Sequence, residues 1–194
     1  MISRNEGGGD DVATYPGTTI ETLCIQKNSS KILFEGIFAA GGITMSQVSN
    51  ITGLEVHVIQ NWVKRKFLSS PVKKLYSREQ LARILIINML RESLQLESIC
   101  SLIDVIAGEP DDKTDDLIGD AELYHRYVNM TAEDDIGIFS KDDIQRRAEL
   151  AAEDFEEKSA GDRKKLIKIL LVMYYAHESS RLKDTAREIL SSVF

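Results

Sequence analysis

The segment between Glu55 and Arg78 concentrates side chains suited to recognising a polyanion. His57, Gln60, Asn61, Lys64 and Arg65 fall close together, and Lys73, Lys74, Tyr76 and Arg78 follow after one short link. Amide and imidazole groups can exchange hydrogen bonds with base edges, Asn being suited to adenine, while ammonium and guanidinium groups neutralise phosphates. Wound at about 100° per residue, Val56, Ile59, Val63 and Phe67 gather on one side of a helix, with Trp62 on its flank. His57, Asn61, Lys64 and Arg65 gather on the other side, with Gln60 near the boundary. One face is then free to pack while the other meets a ligand. Trp62, on the packed flank, reads as a core anchor rather than a stacking platform.

No comparable grouping suggests catalysis. His57, His125 and His177 have no partners at zinc-ligand spacing, and neither Cys24 nor Cys100 supplies one. The acidic run Asp111 to Asp116 lacks the Gly and Glu of a calcium loop, and Gly7 to Gly9 does not lie between a strand and a helix. Tyr124, Tyr127, Met173, Tyr174 and Tyr175 read as core rather than as an effector pocket. The sequence predicts no enzyme, no cofactor and no metal.

Charge is arranged in blocks. The 194-residue chain has 24 basic and 31 acidic residues, a formal net charge of −7. From Glu55 to Arg91, eight basic residues face two acidic ones, a net +6. From Glu109 to Glu157, 17 acidic residues face five basic ones, a net −12. Local potential rather than net charge is what a polyanion meets, so the first block is the candidate interface. Two cysteines 76 positions apart suit a reducing compartment. The start of the chain has no apolar secretion core, and the greasiest stretch, Ile167 to Ala176, is interrupted by Lys168. A cytoplasmic location without membrane contact is expected.

The elements that must hold these groups read as helices. Residues 1–27 read as a loosely ordered arm, part of it able to dock on the body. Residues 28–40 read as a helix with Ile32, Leu33, Ile37 and Phe38 inward. Thr44 with Gln47 makes a capping box for a short helix ending near Gly53, and a second helix runs over 55–66. Ser77 with Gln80 makes another capping box, and Leu96 to Ala107 is a further helix. Beyond Asp111 the pattern predicts helices over about 115–128, 141–158 and 162 onward, with Thr131 and Ser140 as N-caps. The hydrophobic stretch from Leu166 to Ala176 should be buried on several sides, at the centre of a bundle or in a dimer interface.

Two short helices joined at Gly53-Leu54 have a helix-turn-helix layout. Ile51-Thr52-Gly53-Leu54 and the helix after it, then Leu75-Tyr76-Ser77-Arg78-Glu79-Gln80-Leu81, then Leu94 through Leu102, resemble the MerR-type winged helix-turn-helix of bacterial transcription regulators. The resemblance covers Thr44 to Ile106. The whole chain is similar to an uncharacterised bacterial family of MerR-like proteins. It implies a recognition helix after Thr52-Gly53, a wing, and a further helix from Ser77. Three features depart from that pattern. The link Ser69 to Leu75 is short and lacks a hairpin Gly, leaving Lys73 and Lys74 on a stub. The family's aromatic pair and preceding Arg are replaced by Gln60-Asn61-Trp62. No heptad helix follows Ala107, so any dimer needs another surface.

The expected fold is all-α, a short-winged helix-turn-helix over 28–108 plus an acidic C-terminal helical region over 109–194 for dimerisation or sensing. The expected function is a transcriptional regulator reading the major groove of double-stranded DNA with the helix around 55–66. His57, Gln60, Asn61, Lys64, Arg65, Lys73, Lys74, Tyr76 and Arg78 are the contact residues. A homodimer is expected, with an effector of undefined chemistry. The competing reading is an interaction scaffold whose acidic helices engage a basic partner without DNA.

Overall fold

The computed structural model describes residues 12–107, 117–132 and 140–194. Gly7 to Gly9 and the acidic run from Asp111 to Asp116 lie outside them. Within the described residues the chain is largely helical, with two small two-stranded sheets.

Residues 12–27, expected as a loose arm able to dock in part, form a docked hairpin. Strand β1 (Ala13–Thr14) pairs antiparallel with β2 (Glu21–Thr22). The turn between them is held by side chains far along the chain. Tyr124 Oη donates to the Pro16 carbonyl at 2.9 Å, and Asn88 Nδ2 donates to the Gly17 carbonyl at 2.9 Å. Gly17 has φ +73°, and a Cβ there would lie 2.3 Å from the Leu85 carbonyl oxygen, so glycine alone fits.

Helix α1 (Ser29–Ile37) rests on Phe34 and, just past its end, Phe38. Ile32, expected inward, is exposed, because Phe34 takes the central inward position against Tyr124, with ring centroids 5.6 Å apart. Strand β3 (Ile43–Thr44) leads into α2 (Met45–Thr52), and after a tight turn comes α3 (Val56–Lys64). Strand β4 (Leu75–Tyr76) pairs back on β3, with Ile43 opposite Tyr76.

Helix α4 (Arg78–Leu90) is the centre of the molecule. It packs against α2, α5 (Leu96–Ala107), α6 (Asp120–Thr131) and α8 (Asp162–Val193). Every residue from Gln80 to Ile87 is buried, so α4 has no polar face. The one charge among them, Arg83, is 1% exposed and lies between two carboxylates, Asp104 at 3.0 Å and Asp120 at 3.1 Å. Glu79 caps α6 from outside, its carboxylate accepting from the Ala121 amide at 2.9 Å.

Helix α7 (Lys141–Ala151) opens on the Ser140–Asp143 capping box and stops short of the expected 158. Thr131 is not an N-cap. It is the last residue of α6, and its hydroxyl donates back to the Tyr127 carbonyl at 3.1 Å. In α8 the residues Leu166, Ile169, Leu170, Met173 and Ala176 are buried, but Val172 and Tyr175 face outward, so this helix is buried on one side only. No described helix is long and apolar enough to cross a membrane.

Candidate nucleic-acid interface

The α2–α3 pair is set by local hydrogen bonds that the sequence encodes. Thr44 caps α2, its backbone amide donating to Gln47 Oε1 at 2.9 Å, and Gly53 ends the helix with φ 69°. The turn is then pinned twice. Ser49 Oγ donates to the Leu54 carbonyl at 2.6 Å, and the Leu54 amide donates to Thr52 Oγ1 at 3.2 Å. Leu54 is buried beneath, so α3 leaves α2 in one direction.

Helix α3 packs through Ile59 and Trp62, both buried. Trp62 is the anchor the sequence suggested. Val56 is exposed, and Val63 and Phe67 are half-buried. His57, Gln60, Asn61 and Lys64 are all exposed and follow the i, i+3, i+4, i+7 rule of one helix stripe. Gln60, placed near the boundary by winding, belongs to this exposed stripe. His57 Nδ1 lies 3.0 Å from the Glu55 carboxylate.

The end of α3 is a Schellman turn. The Phe67 amide donates to the Trp62 carbonyl at 3.0 Å and the Lys66 amide to the Val63 carbonyl at 3.1 Å. Lys66 occupies the left-handed position, φ 63°, where glycine is the usual residue. Arg65 turns away from the stripe. Its guanidinium lies 4.5 Å over the Phe67 ring and forms an ion pair with Glu97 on α5. Its charge is therefore tied to the body of the protein.

The link after α3 closes in a two-residue hairpin without glycine. The Leu75 amide donates to the Val72 carbonyl at 2.9 Å, and the turn residues Lys73 and Lys74 have φ 51° and 65°. Positive φ at both central positions is the type I′ arrangement that matches strand twist. Each lysine sits where an L side chain costs roughly 1 kcal/mol or more. Such strain is held by surrounding structure and clusters at functional positions. Val72 and Leu75 flank the turn and are themselves exposed.

Gln80 holds the other end of the link. Its Oε1 accepts from the Ser77 amide, while Nε2 donates to the Ser69 carbonyl at 2.9 Å and the Ser70 carbonyl at 3.1 Å. This positioning role was not evident from the sequence, which shows only the capping box. Lys66 was likewise missed as a contact candidate, although it lies in the basic block.

Tyr76 requires a correction as a contact residue. It is 1% exposed, and its hydroxyl donates to Met45 Sδ at 3.6 Å. Alternation along β4 is the reason, since pairing with β3 turns Leu75 outward and Tyr76 into the core. Burial also raises its phenol pKa above the usual value. Arg78 is exposed in the first turn of α4, its guanidinium 5.6 Å over the Phe38 ring. Among the described residues, Lys64, Lys66, Lys73 and Lys74 make no ion pair, whereas Arg126, Arg146, Arg181 and Arg187 all pair with carboxylates. Among the described residues no group of three or more His, Cys, Asp or Glu side chains is placed to hold a metal ion.

Residues 40–127 match a family described as a domain of unknown function, DUF1836. The match runs from the end of the α1 region into α6, and so includes α2, α3, the lysine hairpin and α4. The docked N-terminal hairpin and helices α7 and α8 lie outside it. No curated protein and no solved structure matches the chain.

Proposed function

We propose that this chain binds double-stranded DNA as a transcriptional regulator, entering the major groove with α3. The observation that carries the reading is the exposed stripe of His57, Gln60, Asn61 and Lys64, together with Lys66, Lys73 and Lys74, four lysines that form no ion pair among the described residues. Asn61 and Gln60 offer amide pairs suited to the N6 and N7 edge of adenine, and His57 a single donor or acceptor. Lys64 and Lys66 at the end of α3, and Lys73 and Lys74 on the hairpin tip, supply phosphate contacts that fix register.

The module resembles a MerR-type winged helix-turn-helix reduced to a two-residue wing. Arg65 and Tyr76 are left out of the contact set, one because it is paired with Glu97 and the other because it is buried. Arg78 keeps a peripheral phosphate role.

Selection of duplexes from a random pool by the purified full chain tests the proposal. Enrichment of a common site by the native protein, and its loss in the Gln60→Ala, Asn61→Ala double variant, is the expected result. Failure to enrich any site would turn the assignment toward a protein-interaction module.

A further inference from the structure

Helix α8 has two faces, and only one of them is used within the chain. The packed face carries Leu166, Ile169, Leu170, Met173, Ala176 and Ser180. On the opposite side Val172, Tyr175, Ser179, Leu182, Ala186, Ile189 and Val193 recur at alternating intervals of three and four. That is an a/d seam of three heptads, over a helix length of about 33 Å. Its large members are between 40% and 68% exposed, and from Arg181 onward every residue of the helix is exposed. Isolated surface leucines need no explanation, but a continuous seam on a helix projecting from the body does.

We infer that this seam is the interface with a second copy of the chain, paired as a parallel coiled coil. The flanking charges select both the partner and the direction. In the heptad fixed by the seam, Glu178 is a g position and Lys183 the e position five residues later, the spacing at which two parallel helices exchange salt bridges. Within one chain Glu178 Oε1 accepts from Arg181 at 2.7 Å and Lys183 Nζ donates to the Glu92 carbonyl at 3.2 Å, so neither charge is neutralised by the other until a second copy aligns them. Two-fold symmetry makes the contact twice. The antiparallel register that keeps most of the seam in contact, with Val193 across from Tyr175, sets Lys183 against its own copy instead. Ser179 and Ala186 at the centre leave room for close approach of the two helices.

The interface stands independently of DNA binding, and sedimentation of the full chain without DNA tests it. A mass of twice 21.8 kDa is expected. Leu182→Asp with Ile189→Asp should give a monomer with an unchanged helical spectrum, because both side chains are exposed and neither belongs to the buried core. In a Cys24→Ser background, Ile189→Cys should cross-link to its own copy on mild oxidation. A native protein that stays monomeric at every concentration would overturn the proposal. So would a dimer that survives the double aspartate change, or an Ile189→Cys chain that cross-links only with Ser179→Cys.

Discussion

Gln80 Nε2 donates to the Ser69 carbonyl at 2.9 Å, so one side chain both caps α4 and fastens the loop that leaves α3. Gln80→Glu separates the two tasks. The new carboxylate still caps Ser77 but has no donor for Ser69 and Ser70, and it sets oxygen against oxygen. A stability loss of about 1–2 kcal/mol in urea unfolding is expected. DNA affinity should fall with little change in salt dependence, since no charge contact is removed.

The lysine hairpin predicts effects of opposite sign. Lys73→Asn with Lys74→Gly gives the turn the residues that positive φ favours, and should raise stability by roughly 1–2 kcal/mol. The same change should weaken DNA binding and reduce the slope of log affinity against log salt by about two. Thermal melts and binding titrations on one preparation would check both.

Arg83 sits inside the core between Asp104 and Asp120. Arg83→Met removes the guanidinium 3.1 Å from the buried Asp120 carboxylate and 3.0 Å from Asp104, and a loss of about 3–5 kcal/mol is expected. Arg83→Lys should also destabilise, though less, because one ammonium cannot reproduce the fork to two carboxylates. Denaturant midpoints would rank native above Lys above Met.

The pH dependence of stability follows from two histidines. Burial, together with nearby Lys31 and Arg78, lowers His125 from 6.5 to about 4, and burial with nearby Arg181 lowers His177 to about 4. Both are neutral in the fold, His125 against Ser30 and His177 against Tyr127. The unfolded chain takes up these protons first as pH falls. Stability is therefore fully present above about 6.5 and is lost between there and about 4. The lowered carboxyl groups of Asp143 and Asp154 act only at still lower pH. In His177→Gln, whose amide can still meet Tyr127, the slope of unfolding free energy against pH in this window should drop by about one proton.

Local signals were legible in the sequence, and long-range ones were not. Thr44–Gln47, Ser77–Gln80 and Gly53 are decided within a few residues, so α2, the turn and the start of α4 could be placed from the chain alone. Residues 12–27 carry no periodicity because distant side chains, Tyr124 and Asn88, hold them by their backbone carbonyls. Of the contact candidates, the exposure of His57, Asn61 and Lys64 follows from helix winding, which left Gln60 near the boundary. Arg65 was diverted by Glu97, 32 positions away, and Tyr76 was turned inward by a strand too short to recognise. The α8 seam was hidden because its first members, Val172 and Tyr175, merge with the hydrophobic stretch Leu166 to Ala176, and its later ones are spaced through a polar, charged stretch with Ser179 and Ala186 at two of the positions.

Fluorescence anisotropy of the full chain on duplex DNA across a salt series, comparing the native protein with Lys64→Glu and Lys73→Glu, tests the central claim most directly. The account predicts native binding that weakens linearly in log salt, and at least a tenfold loss in each variant with its helical spectrum intact. Native binding left unchanged by both charge reversals would contradict it, as would an absence of binding at low salt.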